Sequence, residues 1–152
     1  MDLLDNSDLA DTLRIINNVD IFSGIGLNEQ HLLARKLREV HYLADEIVIE
    51  QGDVGDQLYI VLTGKVDVSI KNKDVPRVSI ATLGPGDVFG EIAILRSIPR
   101  TARITTLEPC TFLTINAQDF LSIYQYFPKQ ARDNMQLFIA KRLQNKHHRY
   151  EL

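Results

Sequence analysis

Between residues 40 and 116 the chain repeats one device: a short β-branched run, then a turn, then another run. "EIVIE", "LYIVL", "KVDVSI", "RVSIAT", "ARITT" and "TFLTI" are the runs, built from the residue types that fit a pleated, partly buried surface. In the third, Val66, Val68 and Ile70 alternate with polar residues, the period-two pattern of a strand with one face on a core. "QGDVGD", "TGK", "KNKD" and "LGPGD" lie between the runs. Such clusters end strands because Gly, Asn and Asp adopt turn conformations that other residues avoid. Turns spaced roughly 8–15 residues apart describe a sandwich or a barrel, not an alternation of strands with crossover helices.

Helical periodicity frames this centre on both sides. Ser7 is the expected cap of a first helix whose Leu9, Leu13 and Ile16 recur at helical spacing. Asn28 is the expected cap of a second, with Leu27 before it, Leu32 placed to staple the turn, and Leu33, Leu37 and Val40 continuing its apolar face. After Ile115 the period is helical again: Phe120, Ile123, Tyr124 and Phe127 share one face, and Pro128 suits the first turn of a fresh helix. Ala131, Met135, Phe138, Ile139 and Leu143 stripe that last helix, which fits packing against a barrel, with a movable or dimerising face as the alternative. A chain of 152 residues fits one domain and buries about two thirds of the surface it exposes when unfolded.

Several function classes are set aside by what is missing. Cys110 is the single cysteine, which excludes a disulfide framework or thiolate cluster and fits a small buried side chain in a reducing compartment. The start "MDLLDNSDLAD" is acidic, and no apolar run approaches the ~18 residues of a membrane span. A cytoplasmic location without a membrane span is expected. With 17 basic against 20 acidic residues the net charge is -3, which argues against nucleic acid as a partner. His31, His41, His147 and His148 are scattered, whereas a metal enzyme on a β-barrel needs clustered inward histidines and an acid. There is no nucleophile elbow and no phosphate loop ending in Gly-Lys-Ser or Gly-Lys-Thr. The expectation is a binding protein rather than an enzyme, with no metal and no cofactor.

The densest chemistry lies in "FGEIAILRSIPRTARI", residues 89 to 104. Gly90 breaks the preceding strand, Glu91 to Leu95 suit a helical turn or two, and Pro99 ends it. A helix start offers unpaired N–H groups and partial positive charge to an anion, and a glycine there allows close approach. Arg100 adds a planar fork of donors matched to two phosphate oxygens. Glu91 repels phosphate but accepts hydrogen bonds from a sugar hydroxyl. An anion cradle beside a hydroxyl acceptor suits a ribose phosphate.

This stretch resembles the phosphate-binding cassette of the cyclic nucleotide-binding domains. "FGEIAILRSIPRTA" meets the family's pattern of Phe-Gly-Glu, aliphatic residues and Ala, then Pro-Arg, one of Ala, Ser or Thr, and Ala, without a gap. "IFSGIG", "IEQGDVGDQLYIVLTGKVDV" and "LGPGDVFGE" extend the resemblance over roughly residues 19–145. In "YLADE", Asp45 stands where the family often has glycine, and Asp tolerates left-handed backbone better than most residues.

The resemblance implies a mainly β fold: a jelly-roll (double-stranded β-helix) barrel with flanking N- and C-terminal helices. The implied layout is a single cyclic nucleotide-binding domain over 1–152, with helices in 7–40, the barrel in 40–116 holding the cassette at 89–102, and helices in 117–148. Arg100 would bind the cyclic phosphate and Glu91 the ribose 2′-hydroxyl. The N–H groups of Ile92 and Ala93, beside Phe89 and Gly90, would complete the anion site, with Thr101 and Ala102 lining its far side. Val68 and Ile80 would wall the base, and Lys141 or Arg142 falls where a lid contact would lie. The implied ligand is cyclic AMP or cyclic GMP, because Thr101 permits guanine without requiring it. The implied role is a sensor, monomeric or homodimeric, whose C-terminal helix responds to ligand and signals to a separate effector protein. The 24 residues after Pro128 are too few for both a lid helix and a DNA-binding helix-turn-helix. An interaction module of the same fold with an unused pocket is the alternative, and the retained Glu91 and Arg100 argue against it.

Overall fold

A computed structural model of the chain describes residues 6–151, with side chains for residues 9–144. Two helices come first, α1 (Asn6–Asn17) and α2 (Leu27–Lys36), joined through a 3-10 turn at Asp20–Phe22. Five strands follow: β1 (Arg38–Tyr42), β2 (Ile47–Ile49), β3 (Gln57–Thr63), β4 (Val66–Ile70) and β5 (Val78–Leu83). Then come β6 (Val88–Phe89), α3 (Glu91–Arg96), β7 (Arg103–Thr106), β8 (Cys110–Asn116), α4 (Ala117–Tyr124) and α5 (Lys129–Glu151). The strands form two four-stranded antiparallel sheets, ordered β1-β8-β3-β6 and β2-β7-β4-β5. They face each other as the jelly roll requires, without hydrogen bonds closing them into one continuous barrel.

The central strands of the first sheet, β3 and β8, are buried on both faces, which explains why "LYIVL" does not alternate. Leu58 and Ile60 of β3 and Leu113 and Ile115 of β8 face the helices and share a core with Ile16, Leu33, Phe120 and Met135. Tyr59 and Val61 of β3 and Phe112 of β8 point the other way and meet Val66, Val68, Ile80 and Ile104 of the second sheet. A sheet covered twice selects continuous apolar runs. The second sheet has one covered face, and β7 alternates buried with half-buried positions. Ser69 departs from the alternation in β4: the register slips between Val68 and Ser69, and the buried hydroxyl accepts from Arg77 Nη1 at 3.1 Å.

The ends of the elements correct parts of the sequence reading. The second helix is capped one residue before its first turn by Gly26, not by Asn28, and Glu29 Oε1 accepts from Gly26 N at 2.9 Å. A Cβ at Gly26 would meet that oxygen at 2.7 Å, so the glycine makes room for the acid that satisfies its own N–H. Leu27 and Leu32 are exposed and form no staple. The helix stops at Lys36, and Val40 belongs to β1, where it pairs with Phe112. The expected Ser7 cap, and His147 and His148, lie outside the described side chains. Asp45 does take left-handed backbone, with φ 64°. Asn116 caps α4 by accepting from Asp119 N at 2.8 Å. Cys110 is buried, and desolvation pushes its thiol above the ordinary value. Among the described residues no helix is long and apolar enough to cross a membrane.

Candidate functional site

The cassette is placed by aromatic packing on one side and by main-chain hydrogen bonds on the other. Phe89, at the end of β6, stacks on Tyr59 with centroids 4.8 Å apart and meets Phe112 edge-on at 5.2 Å. The next residue, Gly90, turns the chain with φ 89° and caps α3. A Cβ there would lie 2.7 Å from Gln57 O and 2.9 Å from Arg100 Nη1, so Gly90 is required by space as well as by backbone angle. α3 runs for one and a half turns and ends at Ser97, itself left-handed at φ 53°. Beyond it, Arg100 N donates to Asp53 O and Gly52 N donates to Arg100 O, both at 2.8 Å. These bonds tie the cassette to the β2–β3 loop.

A cavity of about 530 Å³ opens over this segment, within the size range of small-molecule sites. Phe89, Gly90, Glu91, Ile92, Ala93, Arg100, Thr101 and Ala102 all line it, so the structure brings the eight sequence-predicted residues together. Val68 and Ile80 lie on its wall as alternation indicated. Sequence reasoning did not single out Ile49, Ala81, Leu83 and Ile104, which complete that wall from the second sheet. It also missed Gly55, where a Cβ would fall 2.6 Å from Ala93 Cβ and 2.9 Å from Arg100 Nε. The "GDVGD" turn was legible; that its second glycine makes room for an arginine 45 residues away was not.

Two buried charges face this cavity. Arg100 is 7% exposed, and its guanidinium donates to Gly90 O and Gln57 O, each at 2.8 Å. Burial lowers its pKa from the usual value, while Tyr59, Asp56, Glu91 and Asp53 act in the opposite direction. An arginine keeps its proton under such conditions. It therefore presents a desolvated positive charge that leans on backbone carbonyls rather than on an acid. Glu91 is 1% exposed; its Oε2 accepts from Arg142 Nη1 at 2.8 Å, and its Oε1 has no hydrogen-bond partner among the described residues. Of the two residues named for a lid contact, Arg142 enters the site and Lys141 stays exposed.

The cassette also touches the C-terminal helices away from the cavity. Ile94 is buried and Leu95 partly buried in the core that holds Phe120, Ile123, Tyr124 and Phe127. Arg96 Nε donates to Gln136 Oε1 on α5, and Gln136 Nε2 donates to Tyr124 Oη on α4, both at 3.2 Å.

Comparison with known proteins gives this geometry its context. The family model described as "Cyclic nucleotide-binding domain" matches residues 39–127. "Potassium channel SKOR" of Arabidopsis thaliana is 34% identical over 121 residues, which cover 78% of this chain but 15% of the channel. The cAMP-dependent protein kinase regulatory subunit of Dictyostelium discoideum is 30% identical over 126 residues, 81% of this chain and 38% of the subunit. The chain thus spans well under half the length of these relatives. Among solved structures, the regulatory domain of Toxoplasma gondii PKA, co-crystallised with cAMP, superposes with a TM-score of 0.80 at 20% identity over 89% of this chain and 51% of that one.

Proposed function

This chain belongs to the cyclic nucleotide-binding domain family, and on that premise we propose that its cavity binds a purine 3′,5′-cyclic monophosphate, with cyclic AMP preferred over cyclic GMP. One observation carries the reading: a buried acid with an acceptor oxygen that has no partner among the described residues and a buried arginine that donates to two backbone carbonyls line the same largely apolar cavity. A cyclic nucleotide has one phosphate charge for the arginine, one ribose hydroxyl for the acid and a flat base for the apolar wall. In this reading Arg100 and the N–H groups of Ile92 and Ala93 take the phosphate, and Glu91 Oε1 takes the 2′-hydroxyl. Val68, Ile80 and Ile104 then wall the base. The preference for cyclic AMP is favoured by relatives that are cAMP-dependent by name or were solved with cAMP.

The same reading makes the chain a non-catalytic, cytoplasmic sensor that signals to a separate effector. Its output would be the pose of α5, which the cassette reaches through Leu95, Arg96 and Glu91. A spin-label distance from β4 to α5 that ligand leaves unchanged would refute that output.

Thermal melting tests the binding itself. Ligand at ~100 times its dissociation constant contributes about 2.7 kcal/mol, and a domain of this size gains roughly 2–4 °C per kcal/mol. Cyclic AMP should raise Tm by about 5–10 °C and linear 5′-AMP far less. No shift with either cyclic nucleotide at millimolar concentration would favour the interaction module.

A further inference from the structure

Four strands have a neighbour on one side only: β1 and β6 in the first sheet, β2 and β5 in the second. Such an edge offers its outward N–H and C=O groups to another chain, and proteins guard against that with charge or shortness. Three of the four are guarded. β1 carries Arg38 and Glu39, β6 has two residues and β2 has three. β5 runs for six residues, Val78–Leu83, none of them charged. Val78, Ser79, Ala81 and Thr82 are exposed, and among the described residues the strand's main chain bonds to β4 alone.

We propose that β5 is a pairing edge for a second copy of this chain, laid antiparallel so that the two second sheets become one sheet across a twofold axis. Symmetry selects the second copy as occupant. Val78 and Leu83 stand opposite the buried Ile70 and Val66, whereas Ser79 and Thr82 stand opposite Ser69 and Asp67. The register slips between them, and Ile80 and Ala81 both line the cavity. From Val78 to Leu83 the side chains therefore point in, out, in, in, out, in, a pattern that reads the same in both directions. Without the slip Val78 and Leu83 would face opposite sides of the sheet. Antiparallel self-pairing then sets Val78 against Leu83, Ser79 against Thr82 and Ile80 against Ala81 of the second copy. Apolar meets apolar and hydroxyl meets hydroxyl, the cross-strand pairs that stabilise a ladder, and a closed twofold contact demands such self-complementarity. Charge agrees with it. Lys71, Lys73 and Arg77 outweigh Asp74 before β5, whereas Asp67 and Asp87 outweigh Lys65 at its end, and antiparallel pairing puts the basic start of each strand beside the acidic end of the other. The proposal is independent of what the cavity holds.

Sedimentation equilibrium of the whole chain tests it. One short edge from each copy gives an interface below the roughly 1,200 Å² that divides weak complexes from stable ones, so the dimer should form with a dissociation constant on the order of 100 µM. Ser79→Lys combined with Thr82→Lys places like charges opposite each other twice and should weaken the dimer by ~10-fold or more. Ser79→Glu combined with Thr82→Lys places opposite charges at the same positions and should restore the parent's association or exceed it. Both positions are exposed, so both variants should melt close to the parent. A parent that stays monomeric at about 1 mM, ten times that dissociation constant, overturns the proposal. So does a Lys–Lys variant that dimerises as the parent does, which would move the contact to another surface such as α5, and so does a Glu–Lys variant no stronger than the Lys–Lys one.

Discussion

Arg100 and Glu91 are both buried in one cavity, yet different parts of the molecule hold them. Arg100 is bonded to the main chain of β3 and of the cassette, Gln57 O and Gly90 O, atoms that the sheet and the glycine turn fix in place. Glu91 depends on a side chain 51 residues further on, carried by a helix that packs outside the two sheets. The phosphate end of the cavity is thus built into the β-roll, whereas the sugar end is completed by α5. The difference separates affinity from response. An end fixed by main-chain hydrogen bonds is present whether or not the terminal helix is docked, while an end completed by a docked helix is coupled to that helix in both directions, because linkage is reciprocal.

The largest effect should come from breaking the built-in end. Arg100→Ala leaves the phosphate facing backbone dipoles in a desolvated site, and losing one partner of such a pair costs about 2–5 kcal/mol. Cyclic AMP affinity should drop ~30-fold or more. Since the guanidinium also satisfies two carbonyls, the ligand-free melting temperature should fall too. A variant that binds as the parent does would show that the phosphate does not lie on Arg100.

Thr101, beside Arg100 on the cavity wall, should give the smallest effect and sharpen what the built-in end reads. One neutral hydrogen bond contributes about 0.5–1.5 kcal/mol, which limits Thr101→Ala to a few-fold up to ~10-fold. If the hydroxyl reaches the guanine 2-amino group, cyclic GMP should lose that factor and cyclic AMP less. Equal losses would assign the hydroxyl to the phosphate and leave base preference to the barrel wall.

The same contrast explains what was legible in the sequence. The built-in end is local: Phe89, Gly90, Glu91 and Arg100 lie within twelve residues and their spacing alone groups them. Turn chemistry likewise exposed Asp45 and the start of α3, because backbone angle is a property of a few consecutive residues. What stayed hidden depends on approach between distant segments. The first part of β1, up to Val40, was read as helix because Leu37 and Val40 keep a helical interval, and only pairing with β8 starts the strand at Arg38. The two-residue β6 is too short to carry a period of its own. Gly26 as a cap needed Glu29 to fold back on it, and Gly55 needed Arg100 to fill the space its missing Cβ leaves. The family resemblance could bring a basic residue of α5 near the lid, but the choice of Arg142 over Lys141 rests on how α5 is rotated against the roll.

A pair of double-mutant cycles on cyclic AMP affinity tests the division between the two ends most directly. Residues that share a partner couple by about 0.5–3 kcal/mol, whereas independent sites add to within roughly 0.3–0.5 kcal/mol. Glu91→Gln combined with Arg142→Gln should be strongly non-additive, since each variant already removes the same ion pair. Arg100→Ala combined with Arg142→Gln should add. Additive losses for Glu91 and Arg142, or coupling between Arg100 and Arg142 as large as that between Glu91 and Arg142, would contradict a site with one end built into the roll and the other completed by α5.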